Sequence, residues 1–358
     1  MFGRRSGYAL NHGLGPARPR DGSRIIRAIR EIGALDADIF RALTAEARPA
    51  VLRGLVLDWP AVAAGQRAAA DLAGYLGTFD SGTAAGCVVG GPMIGGRFFY
   101  REDMTGFNFG RRDARVTDVV AQLLQQAGSD APLAIAMQSA SIDAVLPGFA
   151  EANAMPFLPA SVRPRIWIGN AIQVATHYDS NDNLACVVGG RRRFTLFPPD
   201  QIANLYVGPL EMTPAGAPVS MVDVAAPDLD LYPRFAEAFE VAESAELAPG
   251  DAIYIPYFWW HAVRSLDPLS GLVNYWWNDV RENASPIDAL LHAIVAMSGQ
   301  PAERRAIWKG MFDHLAFHAN GDPVTHLPEA VRGVFGPLSP EQRRELTAHL
   351  ARSLGGRS

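Results

Sequence analysis

Cysteine is almost missing from this chain. Its 358 residues include two, Cys87 and Cys186, too few for a disulfide framework, and no C-x-x-C or Cys/His cluster offers a structural zinc site. Both are expected as small buried hydrophobes. Long apolar runs are missing too. No stretch reaches the roughly 18 residues a membrane span requires, and the start MFGRRSGYALNHG has no apolar core of a secretory signal. A cytoplasmic protein without membrane contact is expected. Excess positive charge is also absent: a net charge of -5 and a pI near 5.9 argue against coating nucleic acid or anionic lipid through charge alone. A local basic patch stays open. Several catalytic signatures fail as well. No GK[ST] follows the glycine-rich GCVVGGPMIGGRFFY, no G-x-S-x-G elbow occurs, and HLAFH, with His314 and His318, lacks the Glu of H-E-x-x-H.

What is present is ordinary globular material, 49% hydrophobic and 19% charged with a mean hydropathy of +0.03, so neither a disordered nor a collagenous chain. An Arg/Gly/Pro-rich tail over 1–24 is expected to be flexible. From 23 to about 76 the pattern is mostly helical, through IIRAIREIG and then DADIFRALTAEA with Asp36 as N-cap. PAVLRGLVLDWP reads as a short buried strand ended by Pro60, 82–100 as a hairpin, and 116–127 as a helix. Short strand candidates follow: PLAIAMQSA, RIWIGNAIQVATHYD, NLACVVGG, RRRFTLFPP, ELAPGDAIYIP and GLVNYWWND. Repeated short strands with no helices between them imply an antiparallel sandwich or barrel rather than βαβ units. From 285 onward PIDALLHAIVAM, AERRAIWKGMFDHLAFH and PEQRRELTAHLARSL return to helical spacing, with Ile287, Leu290, Leu291, Ile294 and Val295 on an apolar face.

The chemistry centres on His177-Tyr178-Asp179, at the end of one strand candidate, and His261, at the end of another. Residues two apart in a strand project from one face with Cα atoms about 6.6 Å apart, so an imidazole and a carboxylate can converge on one ion. A third ligand must come from a neighbouring strand. Two imidazoles and one carboxylate leave half of an octahedral ion open, the arrangement of non-haem Fe(II) oxygenases. His-x-Asp alone is a common surface pair; its surroundings give it weight. Asp179 precedes Ser180-Asn181-Asp182-Asn183 and the basic hairpin Gly190-Arg191-Arg192-Arg193-Phe194. His261 follows Pro249-Gly250, which suits the centre of a type II turn, and the aromatic AIYIPYFWW. Arg191 to Arg193 read either as a solvated charge run or, by strand alternation, with Arg192 on one face beside Phe194 and Leu196.

With HYDSNDN, GRRRFTLFPPDQ, APGDAIYIPYFWWH and VNYWWND in that order, the chain resembles the Jumonji C family of cupin-like Fe(II)- and 2-oxoglutarate-dependent dioxygenases. Within that family it is similar to the asparaginyl hydroxylase of hypoxia-inducible factor and its bacterial cupin-like relatives. A fainter resemblance through RPAVLRGLVLDWPA extends it over 25–280. The resemblance implies a mainly β fold with flanking α: a double-stranded β-helix, or cupin/jelly-roll barrel, with N-terminal helices and a C-terminal helical region. It places a catalytic domain over 25–284 with its barrel core at about 160–280. The region 285–358 either pads the barrel or makes a homodimer.

The same resemblance implies His177, Asp179 and His261 as ligands of Fe(II), with O2 and 2-oxoglutarate as reactants and succinate and CO2 as products. Arg192, where many relatives carry lysine, would hold the distal carboxylate of 2-oxoglutarate, as an arginine fork can. Asn183 and Asn274 fall where the family has amides near co-substrate and iron, and Gln138 and Trp276 where residues flank the substrate; each is also a plausible turn, strand or core residue. Two family hydroxyls are replaced, by Ala136 and Val174. The expected reaction is hydroxylation of a protein or peptide side chain or of a small molecule. The competing readings are a cupin-like module that binds metal or ligand without turnover and a cupin metalloenzyme that does not use 2-oxoglutarate.

Overall fold

The computed structural model describes residues 26–33, 35–214, 216–278 and 285–354. The tail expected over 1–24 lies outside them, as do 279–284. The chain forms two compact units that meet in sequence between Asp279 and Val280.

Two sheets build the first unit. The smaller has the strand order β1 (Arg27–Ala28), β12 (Glu243–Leu247), β11 (Arg192–Phe197), β14 (Trp260–Ser265), β9 (Gln173–His177), β5 (Arg97–Phe98). The larger runs β2 (Glu31–Ile32), β3 (Ala50–Leu52), β13 (Ala252–Ile255), β10 (Asp182–Gly189), β15 (Ser270–Trp277), β8 (Pro164–Gly169), β7 (Ala134–Ser141), β4 (Ala85–Gly90), β6 (Gly110–Ala114). Pairing is antiparallel throughout the centre of both. Strand parity then sorts the side chains. Ala185, Val187 and Leu272 of the larger sheet meet Phe194, Leu196 and Val263 of the smaller in one apolar layer. Leu184, Cys186 and Val188 point the other way, onto a second layer under helices α1 (Ala37–Glu46), α2 (Pro60–Arg67), α3 (Ala69–Gly77) and α4 (Val116–Gln125). Burial on both faces explains why NLACVVG reads as an unbroken apolar run. Three shorter helices, α5 (Ile142–Val145), α6 (Phe149–Ala152) and α7 (Phe235–Glu240), complete the unit. The architecture is a jelly-roll sandwich with helices against the larger sheet, as expected.

Local expectations fare unevenly. Asp36 caps α1, its Oδ1 accepting from the N–H groups of Asp38 and Ile39 at 2.9 and 2.8 Å. The turn at Pro249-Gly250 also forms: Asp251 N donates to Ala248 O at 3.0 Å, and Gly250 has φ 105°. IIRAIREIG, however, is not helical over its described residues, 26–33. It supplies β1 and β2, the edge strands of the two sheets, each paired in parallel with its neighbour, with Ile29 buried between them, because cross-strand partners outweigh an Ile spacing that suits a helix equally well. The strand in PAVLRGLVLDWP stops at Leu52, and Pro60 instead opens α2, where its missing N–H costs nothing. The expected hairpin over 82–100 does not form either: β4 pairs with β6 and β7, and β5 joins β9 in the other sheet.

Helix α2 crosses β10 closely because Gly65 has no side chain; a Cβ there would collide with the Val188 carbonyl oxygen. Gly65→Ala should therefore lower unfolding stability by about 2–3 kcal/mol, as overpacking does, despite alanine's better helix propensity. Urea denaturation of the two proteins checks this.

The second unit holds α8 (Pro286–Met297), α9 (Ala302–Leu315) and α10 (Pro340–Leu354), matching the helical patterns of the sequence. Among the described residues, no helix in the chain is long and apolar enough to cross a membrane.

Candidate metal centre

His177 ends β9 and stands directly opposite His261, the second residue of β14. Their rings lie 4.3 Å apart, centre to centre. His261 thus begins a strand rather than ending AIYIPYFWW, because Phe258, at φ 61°, breaks the chain between β13 and β14. Asp179 is not in a strand at all. It follows β9 in a loop held by distant partners: Asp179 O accepts from Phe258 N at 3.1 Å, and Asp182 accepts from Tyr254 Oη at 2.5 Å. Tyr178 stacks on Phe258 and meets Trp260 edge-on. The carboxylate therefore arrives by loop geometry, not by alternation along a strand.

The three side chains converge, with one ligand atom from each of His177, Asp179 and His261 lying within 4.8 Å of the others. Asp179 Oδ2 is 3.6 Å from His261 Nε2. In both rings Nδ1 faces a backbone carbonyl, Ala175 O at 2.9 Å for His177 and Trp259 O at 3.0 Å for His261. A carbonyl can only accept, so Nδ1 carries a proton and Nε2 is the atom left to ligate a metal. Burial, and next the neighbouring His177, push the His261 imidazolium pKa down, so this ring is neutral and ready to ligate. Two buried Nε2 atoms around one point, beside one carboxylate, fit a divalent ion that accepts N/O ligands.

These residues line a cavity of about 270 Å³ between the two sheets, and every other residue expected at the site lines it too: Arg192, Asn183, Asn274, Gln138 and Trp276. Arg192 is buried on one face of β11 with Phe194 and Leu196, whereas Arg191 and Arg193 are exposed and pair with Asp267 and Glu246. Its Nε donates to Ser270 Oγ at 2.8 Å. Among the described residues no carboxylate pairs with it, and burial pushes its pKa down to about 10. Such a cation calls for an anion from outside the chain. Asn274 donates to Asn183 Oδ1 at 3.2 Å and accepts from Trp167 Nε1 at 2.8 Å, so both amides are pinned. Trp276 packs edge-to-face on Trp167, and its own Nε1 is buried with no partner among the described residues.

Ala136 joins Val88, Phe98 and Ile172 in an apolar cluster, and Val174 lines the cavity. Neither position carries a hydroxyl. The sequence reading missed Trp167, Ser270 and Arg111. Trp167 and Ser270 lie on β8 and β15, whose register places Leu272 against Trp167 and Ser270 against Gly169; alternation from Asn274 back to Ser270 and across to Trp167 could have found them. Nothing in GRRDA marks Arg111.

A cupin-like domain family model matches residues 36–283. Among curated proteins the chain is 38% identical over 112 residues to the lysine-specific demethylase JMJ31 of Arabidopsis thaliana, covering 31% of this chain and 20% of that protein. It is 37% identical over 122 residues to Jumonji C domain-containing protein 5 of Drosophila melanogaster, covering 33% and 28%. It is 36% identical over 105 residues to tRNA wybutosine-synthesizing protein 5 of Danio rerio, covering 29% of each. The matched part is less than a third of each relative's length. With a match over most of its first unit, this chain belongs to the cupin-like, Jumonji C-type domain family.

Proposed function

We propose that the protein is an Fe(II)- and 2-oxoglutarate-dependent oxygenase that hydroxylates a protein or peptide side chain or a small molecule. The observation that carries this reading is the pairing, in one cavity, of the His177–Asp179–His261 cluster with the buried Arg192 cation, which has a hydroxyl partner but no carboxylate among the described residues. Bound Fe(II) would supply O2-dependent oxidation coupled to decarboxylation of 2-oxoglutarate to succinate and CO2. His177 and His261 contribute Nε2, and Asp179 one carboxylate oxygen that offsets part of the ion's charge. Arg192, oriented by Ser270, receives the distal carboxylate. Asn183 and Asn274, locked to each other, stand near the co-substrate and keep the cavity floor polar at one point. Gln138 and Trp276 flank the substrate, where the free Trp276 N–H offers it a donor. Succinate formation with Fe(II), ascorbate and 2-oxoglutarate tests the reading. No consumption of 2-oxoglutarate under any substrate screen leaves a binding module, or a cupin enzyme with another co-substrate.

The second unit supports a homodimer as the working form. Helices α8 and α9 bury no residue, and Leu290, Ile294, Val295, Ile307, Trp308 and Met311 are all exposed. Among the described residues of this unit, Pro323 and Val324 alone are buried, so its helices have no core of their own. A second copy offers the same apolar faces in return, as two-fold interfaces do. Light scattering should give a mass close to twice 38.6 kDa, and Ile294→Glu with Trp308→Glu should return it to the single-chain value.

A further inference from the structure

Most arginines of the first unit face a carboxylate, as Arg53 does Glu31 and Asp251, and Arg163 does Asp143. Two do not where the cavity lining reaches the exposed residues Arg111 and Gly216, one in the lining itself and one bonded to its Ser139. Arg111 lines the cavity from β6. It donates to Pro214 O at 3.2 Å, and its guanidinium carbon lies 5.8 and 5.7 Å from the ring centres of Phe107 and Phe109, which stack on each other. Arg165 rises from β8 and donates to Ser139 O at 2.6 Å, with Ser139 Oγ at 3.3 Å. Ser139 itself lines the cavity, at φ 51°, where the register between β7 and β8 slips. Both residues are exposed, their guanidinium groups held by neutral acceptors and without a carboxylate partner among the described residues.

We infer that this opening selects an acidic peptide segment, with carboxylates on either side of the side chain that enters the cavity. The inference rests on the oxygenase reading for what happens inside. There the charges balance: the ion and Arg192 on one side, Asp179 and the two carboxylates of 2-oxoglutarate on the other. The positive charge of Arg111 and Arg165 is left over, on a protein whose net charge is -5, so it marks the place where a negative ligand is favoured. Spacing favours a chain over a compact acid. Strands β6 and β8 are separated by β4 and β7, three interstrand steps or about 14 Å, so one small carboxylate does not reach both arginines. A nucleic acid is disfavoured because two cations make no basic stripe and the faces of Phe107 and Phe109 are taken up by each other and by Arg111.

The test measures fluorescence anisotropy with the full chain and three labelled probes: a Glu/Gly decapeptide, its Gln-for-Glu counterpart, and a ten-nucleotide oligouridylate. The Glu peptide should bind about ten-fold tighter than the Gln peptide, the size of one charge-assisted hydrogen bond. Arg111→Gln and Arg165→Gln should each remove most of that preference, and the double variant all of it. Arg264→Gln, an exposed arginine on the other sheet, should leave it intact. Equal binding of the two peptides, tighter binding of the oligouridylate, or a preference indifferent to Arg111 and Arg165 overturns the inference. His177→Ala should retain the preference, which separates the two readings. A chain that forms succinate but ignores peptide charge sinks this inference alone, and one that prefers the Glu peptide but forms no succinate sinks the oxygenase reading alone.

Discussion

Replacing Asp179 by alanine should lower iron-dependent succinate formation by about a hundred-fold or more. Even the outer partners of metal ligands are worth 10–100-fold, and Asp179 contributes the only carboxylate of the cluster. Without it, two imidazoles face a doubly charged ion in a buried cavity, and among the described residues no other carboxylate of the cluster offsets the loss of the ion's water. The fold has little stake in this side chain. Its backbone carbonyl, not its carboxylate, holds the loop through Phe258 N, so the variant should melt at nearly the temperature of the metal-free parent. Mn(II) binding followed by electron paramagnetic resonance should weaken in parallel with activity. Succinate formation left intact in Asp179→Ala would remove the cluster from the chemistry altogether.

That these three side chains would meet was legible in the sequence, but how they meet was not. Spacing alone puts His177 and Asp179 on one face of a strand; β9 stops at His177, and the loop carrying the carboxylate is held by Phe258 N on the Asp179 carbonyl and by Tyr254 and Tyr257 on Asp182, some 75 residues on. Contacts of that range leave no local periodicity to read. Strand candidates fared well where both faces are buried, as in NLACVVG, and poorly where one apparent strand serves both sheets. RIWIGNAIQVATHYD is two strands, β8 and β9, divided where Gly169 packs against the Ile135 carbonyl and Asn170 Oδ1 accepts from Ile135 N at 3.0 Å. ELAPGDAIYIP is likewise β12 and β13 in different sheets, turned at Gly250. Composition reports that a segment is extended; only the partner decides which sheet it enters. Arg111 escaped because an exposed edge strand such as GRRDA carries no burial pattern.

Arg192→Met should move stability and co-substrate binding in opposite directions. In the ligand-free protein the guanidinium is a buried cation with a single hydroxyl partner, and exchanging such a charge for an apolar side chain of similar length is commonly neutral or stabilising by 1–4 kcal/mol. Leaving Ser270 Oγ without its donor costs about 1 kcal/mol of that. A net gain of about 1–2 kcal/mol is expected, read as a higher urea midpoint. With 2-oxoglutarate present the order reverses. Removing one partner of a buried charged pair costs about 2–5 kcal/mol of binding, so KM for 2-oxoglutarate should rise about a hundred-fold. A ligand at about a hundred times its Kd adds some 2.7 kcal/mol of stability to the parent, and that rise should vanish in the variant. Arg192→Lys keeps the charge but not the fork, so it should fall between the two. A purely structural arginine would give a less stable variant with an unchanged KM. A cupin enzyme using a different co-substrate would give the added stability with turnover intact, so the two measurements together assign the residue.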